Sequence, residues 1–317
     1  MKGSRADWRA SLLRYQEGVH ELMEPADSEA IATAEKRCGF AMPPSFREFL
    51  SAHDGATLFH EVYGIMPCAR IGAAGFGWEH DAILMFDPRR VGDDGEMPVV
   101  RFEPGAGERF TAGSRFDRWL LATLWREELV YDEDGEFKDV FEADSPELRP
   151  EIMRKREERA LRADPDAPAT HFELGRMHAL EGRLPRAIER LERAVELEPA
   201  FALAHFDLGR LRAELGRPAE AIDSLMRAAS LDPDQAPVRY AWAARVARER
   251  GDPRASRLRA RVRLLDPEFA QRHKEVGKKL LEEGDRNAAE MLGLAIAIDP
   301  HDQETADLFS RASRGGR

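Results

Sequence analysis

Residues 168–199 read PATHFELGRMHALEGRLPRAIERLERAVELEP, and residues 203–233 read LAHFDLGRLRAELGRPAEAIDSLMRAASLDP. Each holds a helix-forming run, a Gly-containing turn, a second helix-forming run and a closing proline. Prolines recur at Pro165, Pro199, Pro233, Pro267 and Pro300, spaced 34, 34, 34 and 33 residues apart. A fixed period of this size marks stacked helix pairs, none of which buries its apolar face alone. Small residues keep the same beat: Gly175 and Gly209 on the first helix, Ala187 with Ala221 and Ala194 with Ala228 on the second. They let paired helices approach closely, and Leu191 and Leu225 fill the seam.

This pattern of Leu-Gly, Ala, Ala and Pro resembles the tetratricopeptide repeat across about residues 168–301, in four copies at 168–201, 202–235, 236–269 and 270–301. The third copy departs from it, with Trp242-Ala243 in place of Leu-Gly and Arg259 in place of the seam Leu. The fourth, with Val276-Gly277, is one residue short before Pro300, so these two are expected to pack less regularly. Residues 145–167 read as a connection containing Glu151 to Asp164, the second helix of an incomplete preceding repeat with Ala160 in register. Residues 302–317 read as a capping helix and tail, because a solenoid end must show water a polar face.

The first 144 residues show no repeat and mix both periods. Trp8, Leu12, Tyr15, Val19 and Leu22 fall on one face of an expected helix. Ile31, Ala34 and Cys38 continue in a second, entered at Asp27/Ser28 and left at Gly39. Pro43-Pro44 suits the start of a third, with Phe46, Phe49, Leu50 and His53 as its buried stripe. Strand-like runs follow at 62–66, 82–86, 98–102 and 109–112. After them comes a helix with Phe116, Trp119, Leu120 and Leu124 on one side. ELVYDEDGEFKDVF (128–141) reads as a closing hairpin or paired strands around Asp134-Gly135. The expected fold is thus an α+β domain, helices on a mostly antiparallel sheet, followed by an all-α solenoid.

The order IATAEKRCGFAMPPSFREFLSAHDGA, VYGIMP, PVVRF, SRFDRWLLATLW resembles the SUKH superfamily, the SMI/KNR-type domain. Glu35, Gly39, Pro43, Phe46, Phe49, Leu50, Asp54 and Gly55 match its motif, while Met42 replaces a Leu and Ala56 a second Gly. The resemblance implies a binding module without a catalytic constellation. Bacterial relatives often act as immunity proteins against polymorphic toxins, many of them nucleases. Fungal relatives regulate cell-wall signalling.

Charge divides the chain in the same place. Residues 1–144 carry 16 Lys and Arg against 28 Asp and Glu, a net of −12, and the remainder is +1. That argues against direct nucleic-acid binding by the first domain and for a basic partner. Cys38 and Cys68 stand in unlike contexts and suggest neither a disulfide nor a zinc site. No run reads as an export signal or a membrane span, so a cytoplasmic protein is expected.

Two acidic loops are candidate partner surfaces: Asp93, Asp94 and Glu96, and Asp132, Glu133, Asp134 and Glu136. They read either as a solvated face or as a lure for a basic toxin such as a nuclease. Asp132-x-Asp134-Gly135 resembles a calcium loop only in part, lacking the remaining ligands. The glycines of 72–77 do not follow the dinucleotide order and read as a flexible loop. Neither cofactor, metal nor catalytic set is expected. His171, His178 and His205 occupy seam-packing positions. In the repeats, the fifth positions are Phe172, Phe206, Tyr240 and Lys274, and the ninth include Arg176, Arg210 and Lys278. On the concave face, aromatics followed by cations suit an extended peptide with apolar anchors and carboxylates. The alternative is that the phenylalanines pack between helices. The asparagines of a chaperone-type carboxylate clamp are absent from these positions. The acidic domain and the cationic groove are also able to attract one another, within one chain or between two copies. Taken together, the residues lead to a non-enzymatic interaction protein, with toxin immunity or regulatory binding first and a scaffold or adaptor role as the alternative.

Overall fold

The computed structural model describes residues 7–315 apart from Glu17, Ala106 and Asp144. Residues 1–6, Asp144 at the expected domain end, and residues 316–317 of the expected tail lie outside the described residues. The chain divides into two compact units, residues 1–177 with 196–198, and residues 178–195 with 199–317.

The first unit is built on a seven-stranded meander in which every neighbouring pair is antiparallel. Its strands are β1 (His20–Leu22), β2 (Ala56–Leu58), β3 (Tyr63–Ile65), β4 (Gly77–Glu79), β5 (Ala82–Phe86), β6 (Val99–Glu103) and β7 (Glu108–Gly113). The four strands read from sequence are present. β1, β2 and β4 are additional, and each has only three residues, too short for alternation to register. The expected first helix is corrected: α1 spans only Trp8–Leu12. Gly18, with φ +100°, turns the chain, and His20–Leu22 pairs with β2 instead of continuing the helix. Trp8 and Leu12 on α1 and Val19 in the turn before β1 are all buried, so the apparent helical stripe joins a helix and the turn after it.

α2 (Ser28–Cys38) starts where Asp27 accepts the Ala30 N–H at 2.7 Å and stops at left-handed Gly39. α3 (Pro44–Ala52) has no cap of its own, because Pro43 precedes it and Pro44 lacks an N–H. The cap comes from 51 residues away: Glu96 accepts the Ser45 N–H at 2.8 Å and its hydroxyl at 2.6 Å. Phe46, Phe49 and Leu50 are buried, whereas His53 ends the helix half-buried instead of joining the stripe. Phe46 meets Phe76, Phe86 and Phe116 at centroid distances of 5.1, 5.1 and 4.8 Å. The 72–77 stretch, expected to be a flexible loop, is a turn bridged between Gly72 and Gly75; Phe76 is buried and Gly77 opens β4. A side chain on Gly77 would meet the Gly64 carbonyl at 2.2 Å, which makes the glycine obligatory.

α4 (Phe116–Glu127) packs on α5 (Pro150–Ala163). Arg126 forks onto Glu157 at 2.8–3.1 Å, Arg156 meets Glu127, and Asp164 accepts the Ser114 N–H and hydroxyl at 2.7 and 2.6 Å. Glu157 stands one period before Leu191, so α5 answers the expectation of a half repeat with an ion pair in the seam. Its partner helix is α4 of the α+β domain. α6 (Pro168–Leu180) follows, and α7 (Leu184–Leu197) leads into the second unit.

There the helices come in pairs: α8 (Ala202–Glu214) with α9 (Pro218–Leu231), α10 (Ala236–Glu249) with α11 (Ala255–Leu265), and α12 (Phe269–Glu283) with α13 (Ala288–Ile298). α14 (Gln303–Gly315) ends the stack. A side chain on Gly209 would stand 2.7 Å from Leu225 Cγ, and one on Gly277 2.7 Å from Leu292 Cγ. In the third repeat, α10 with α11, the glycine is Ala243 and the leucine is Arg259, so the added methyl arrives where the pressing leucine has gone. The fourth repeat, α12 with α13, departs further. α13 is buried on nearly every side and packs on α10 as well as on α12 and α14, which its apolar sequence AAEMLGLAIAI permits.

Candidate functional site

The resemblance motif of the first unit is framework. Glu35 accepts the Met42 N–H at 2.9 Å, and Asp54 accepts the Cys68 N–H at 2.6 Å. Gly55, with φ +104°, lies where a side chain would strike the Ile65 carbonyl at 2.8 Å.

Much of the expected acidic surface is consumed in the same way. Glu96 is buried as the α3 cap and pairs with Arg115 at 3.1 Å. Asp94 accepts the Glu96 N–H at 3.1 Å and pairs with Arg115 at 3.0 Å. Asp132 accepts the N–H groups of Asp134 and Glu136 at 3.0 and 2.9 Å, which shapes the turn. Glu133 lies 3.6 Å from Arg14. Arg14 and Lys138 line a cleft of about 380 Å³ beside this turn and offset its charge. Asp93, Asp134 and Glu136 remain exposed and without an ion pair among the described residues. Beside them Phe137 is 62% exposed although it stacks on Tyr131 at 4.9 Å.

The histidines at matching repeat positions share a contact. His171 Nε2 lies 3.0 Å from the Pro165 carbonyl, and His205 Nε2 lies 3.2 Å from that of Pro199, one period on. Burial holds His205 below the ordinary histidine range.

The candidate peptide-binding residues separate. In the first unit Phe172 is buried, with the Arg176 guanidinium 5.6 Å from its ring. In the second, Phe206 is half-buried and meets Trp242 edge-on at 6.3 Å. Arg210 lies 5.8 Å from Phe206 and 4.7 Å from Trp242, and Arg245 lies 4.9 Å from Trp242. Tyr240 is half-buried against the apolar core. Lys274 and Lys278 do not join this group. Lys274 pairs with Asp302, just before α14, and with Glu304 of α14 at 2.9 and 2.6 Å, and Lys278 is 4.0 Å from Glu304. α13 supplies Glu290 instead, 3.4 Å from Arg210. The arrangement is an aromatic pair and two guanidiniums steered by indole, Arg210 beside Glu290 and Arg245 beside Glu249 at 3.0 Å, suited to holding carboxylates beside an apolar side chain. Trp242 stands where the repeat has a Leu, and Arg245 lies outside the fifth and ninth positions; the signal for both is an arginine three residues after a tryptophan, on the same helical face.

Among the described residues no three His, Cys, Asp or Glu side chains are grouped to hold a metal ion, and no helix is long and apolar enough to cross a membrane.

Comparison with known proteins follows the same division. Residues 25–82 match the SMI1 / KNR4 family (SUKH-1), and residues 155–189 and 181–236 match the tetratricopeptide repeat. No curated protein matches the chain. Among solved structures, the crystal structure of MamA is 23% identical over 53% of this chain and 88% of its own, with a TM-score of 0.36. YrrB, described as a TPR protein with an unusual peptide-binding site, is 22% identical over 52% and 84%, with a TM-score of 0.37. The PilF structure from Pseudomonas aeruginosa is 19% identical over 52% and 76%, also at 0.37. The chain therefore carries an SMI1/KNR4 (SUKH-1) segment followed by tetratricopeptide repeats, in that order.

Proposed function

We propose that this chain is a non-catalytic recognition protein of the adaptor kind, whose repeat face around Trp242 takes an extended acidic peptide segment with an apolar side chain. The observation that carries the reading is the Phe206, Arg210, Trp242, Arg245 group: guanidiniums held by an aromatic surface are pre-ordered for carboxylates. Both domain types present are associated with protein–protein interaction, which supports a protein partner. Toxin immunity through the acidic face of the first unit has less to stand on, because Glu96, Asp94 and Asp132 serve the fold.

Selection of a displayed random-peptide library on the full chain tests the reading. It predicts enrichment of sequences with acidic residues next to a large apolar one, lost on Arg210→Ala with Trp242→Ala. Enrichment that survives both substitutions, or a consensus without acids, would refute it.

A further inference from the structure

The third repeat carries an unusual charge. Residues 245–265, RVARERGDPRASRLRARVRLL, hold eight arginines against Glu249 and Asp252. Arg245, Arg254 and Arg263 are paired, the last loosely at 3.8 Å. Arg250, Arg257, Arg259 and Arg261 have no ion pair among the described residues. On α11, Leu258 and Val262 turn inward and are buried, so Arg257, Ala260, Arg261 and Leu264 share the outer face. Leu264 is 72% exposed, an apolar side chain on the same helical face as the unpaired Arg257 and Arg261.

The first unit bears the complementary arrangement. Phe137, 62% exposed, is flanked in the chain by Asp134, Glu136 and Asp139, all exposed and without an ion pair among the described residues. An apolar centre with a charged rim is the anatomy of a protein interface, and here the two rims have opposite sign.

We infer that the outer face of α11 docks on the Phe137 turn of a second copy of this chain. Leu264 and Phe137 are the apolar anchors. Arg257 and Arg261 face Glu136 and Asp139 across the contact. This goes beyond the peptide reading and uses none of its residues. It also moves the expected attraction between the acidic and basic halves from the peptide groove to the back of the third repeat.

Light scattering on the full chain during size exclusion, at about 50 mM and about 500 mM salt, provides the test, since screening at the higher salt weakens exposed charge pairs. A two-copy mass is expected at low salt and a one-copy mass at high salt. Arg257→Glu with Arg261→Glu should weaken association at least about a hundredfold by setting like charges together. So should Glu136→Arg with Asp139→Arg. All four positions are exposed, so circular dichroism should match the wild type, and mixing the two variants should restore the two-copy mass. A one-copy mass throughout, or a two-copy mass indifferent to both reversals, overturns the inference. So does a one-copy chain whose arginine face retains duplex DNA, which would assign that face to phosphates.

Discussion

The first unit and the repeats bury apolar surface by opposite means. In the first, Phe46, Phe76, Phe86, Phe116 and Trp119 interlock from α3, the turn before β4, β5 and α4, and buried carboxylates such as Glu96 and Asp164 fasten distant backbone. In the second, Ala221, Leu225 and Ala228 repeat a close helix approach that depends only on neighbouring pairs. A jigsaw core leaves little surface adaptable without loss of fold, whereas a stacked core leaves the outward positions of each helix free to vary. Trp242 and Arg245 show that freedom: both stand in the third repeat, where Ala243 and Arg259 have already relaxed the seam.

The sharpest way to break this contrast is at Phe46. Phe46→Ala should cost about 3–5 kcal/mol in chemical denaturation, since three rings lose their partner at once. The lost stability should appear as unfolding of the first unit. An equal loss spread over the repeats would contradict the contrast.

Next is the seam between α4 and α5. Arg126→Ala strands Glu157 in a largely buried place and should cost about 3 kcal/mol. Replacing both by leucine should recover most of it, because the same seam position is Leu191 and Leu225 in later pairs. No recovery would mean that α5 is not packed as a repeat helix.

Within the repeats, Gly209→Ala forces a methyl to 2.7 Å from Leu225 Cγ and should cost about 1–3 kcal/mol. Ala243→Gly, at the matching place in the third repeat, should cost only about 1 kcal/mol, from helix propensity. A gain in stability from Ala243→Gly would show that Arg259 presses on Ala243 as Leu225 does on Gly209.

The smallest effect is a pH slope. Burial holds His20 down at about 4, against about 6.5 in an unfolded chain. Between those values the unfolded chain binds the extra proton, so stability present near neutrality is lost as pH falls from about 6.5 to about 4. Stability measured from pH 7 to pH 4 should fall less steeply in His20→Phe, by on the order of 1 kcal/mol.

How much could be read in advance follows from the same contrast. Periodic features were legible: the proline beat, the glycine and alanine positions, and the caps Asp27 and Gly39. The short strands β1, β2 and β4 were not, because their pairing is dictated by partners elsewhere; β2, for example, is joined to β3 through left-handed Phe59, His60 and Glu61. The acidic loops misled for a related reason. Composition counts Glu96 as surface charge, and only the fold shows that proline-started α3 takes it as a cap. At the candidate site, Phe206 and Arg210 were legible from repeat positions. Glu290 was not, because it depends on α13 rather than α12 reaching the group.

The most direct measurement is hydrogen–deuterium exchange on the full chain with and without a peptide enriched by the selection. The account predicts new protection in α8, α10 and the first turn of α13, around Phe206, Trp242 and Glu290, with the 131–141 turn unchanged. Protection confined to that turn, with the repeats unchanged, would place recognition in the first unit and contradict the account.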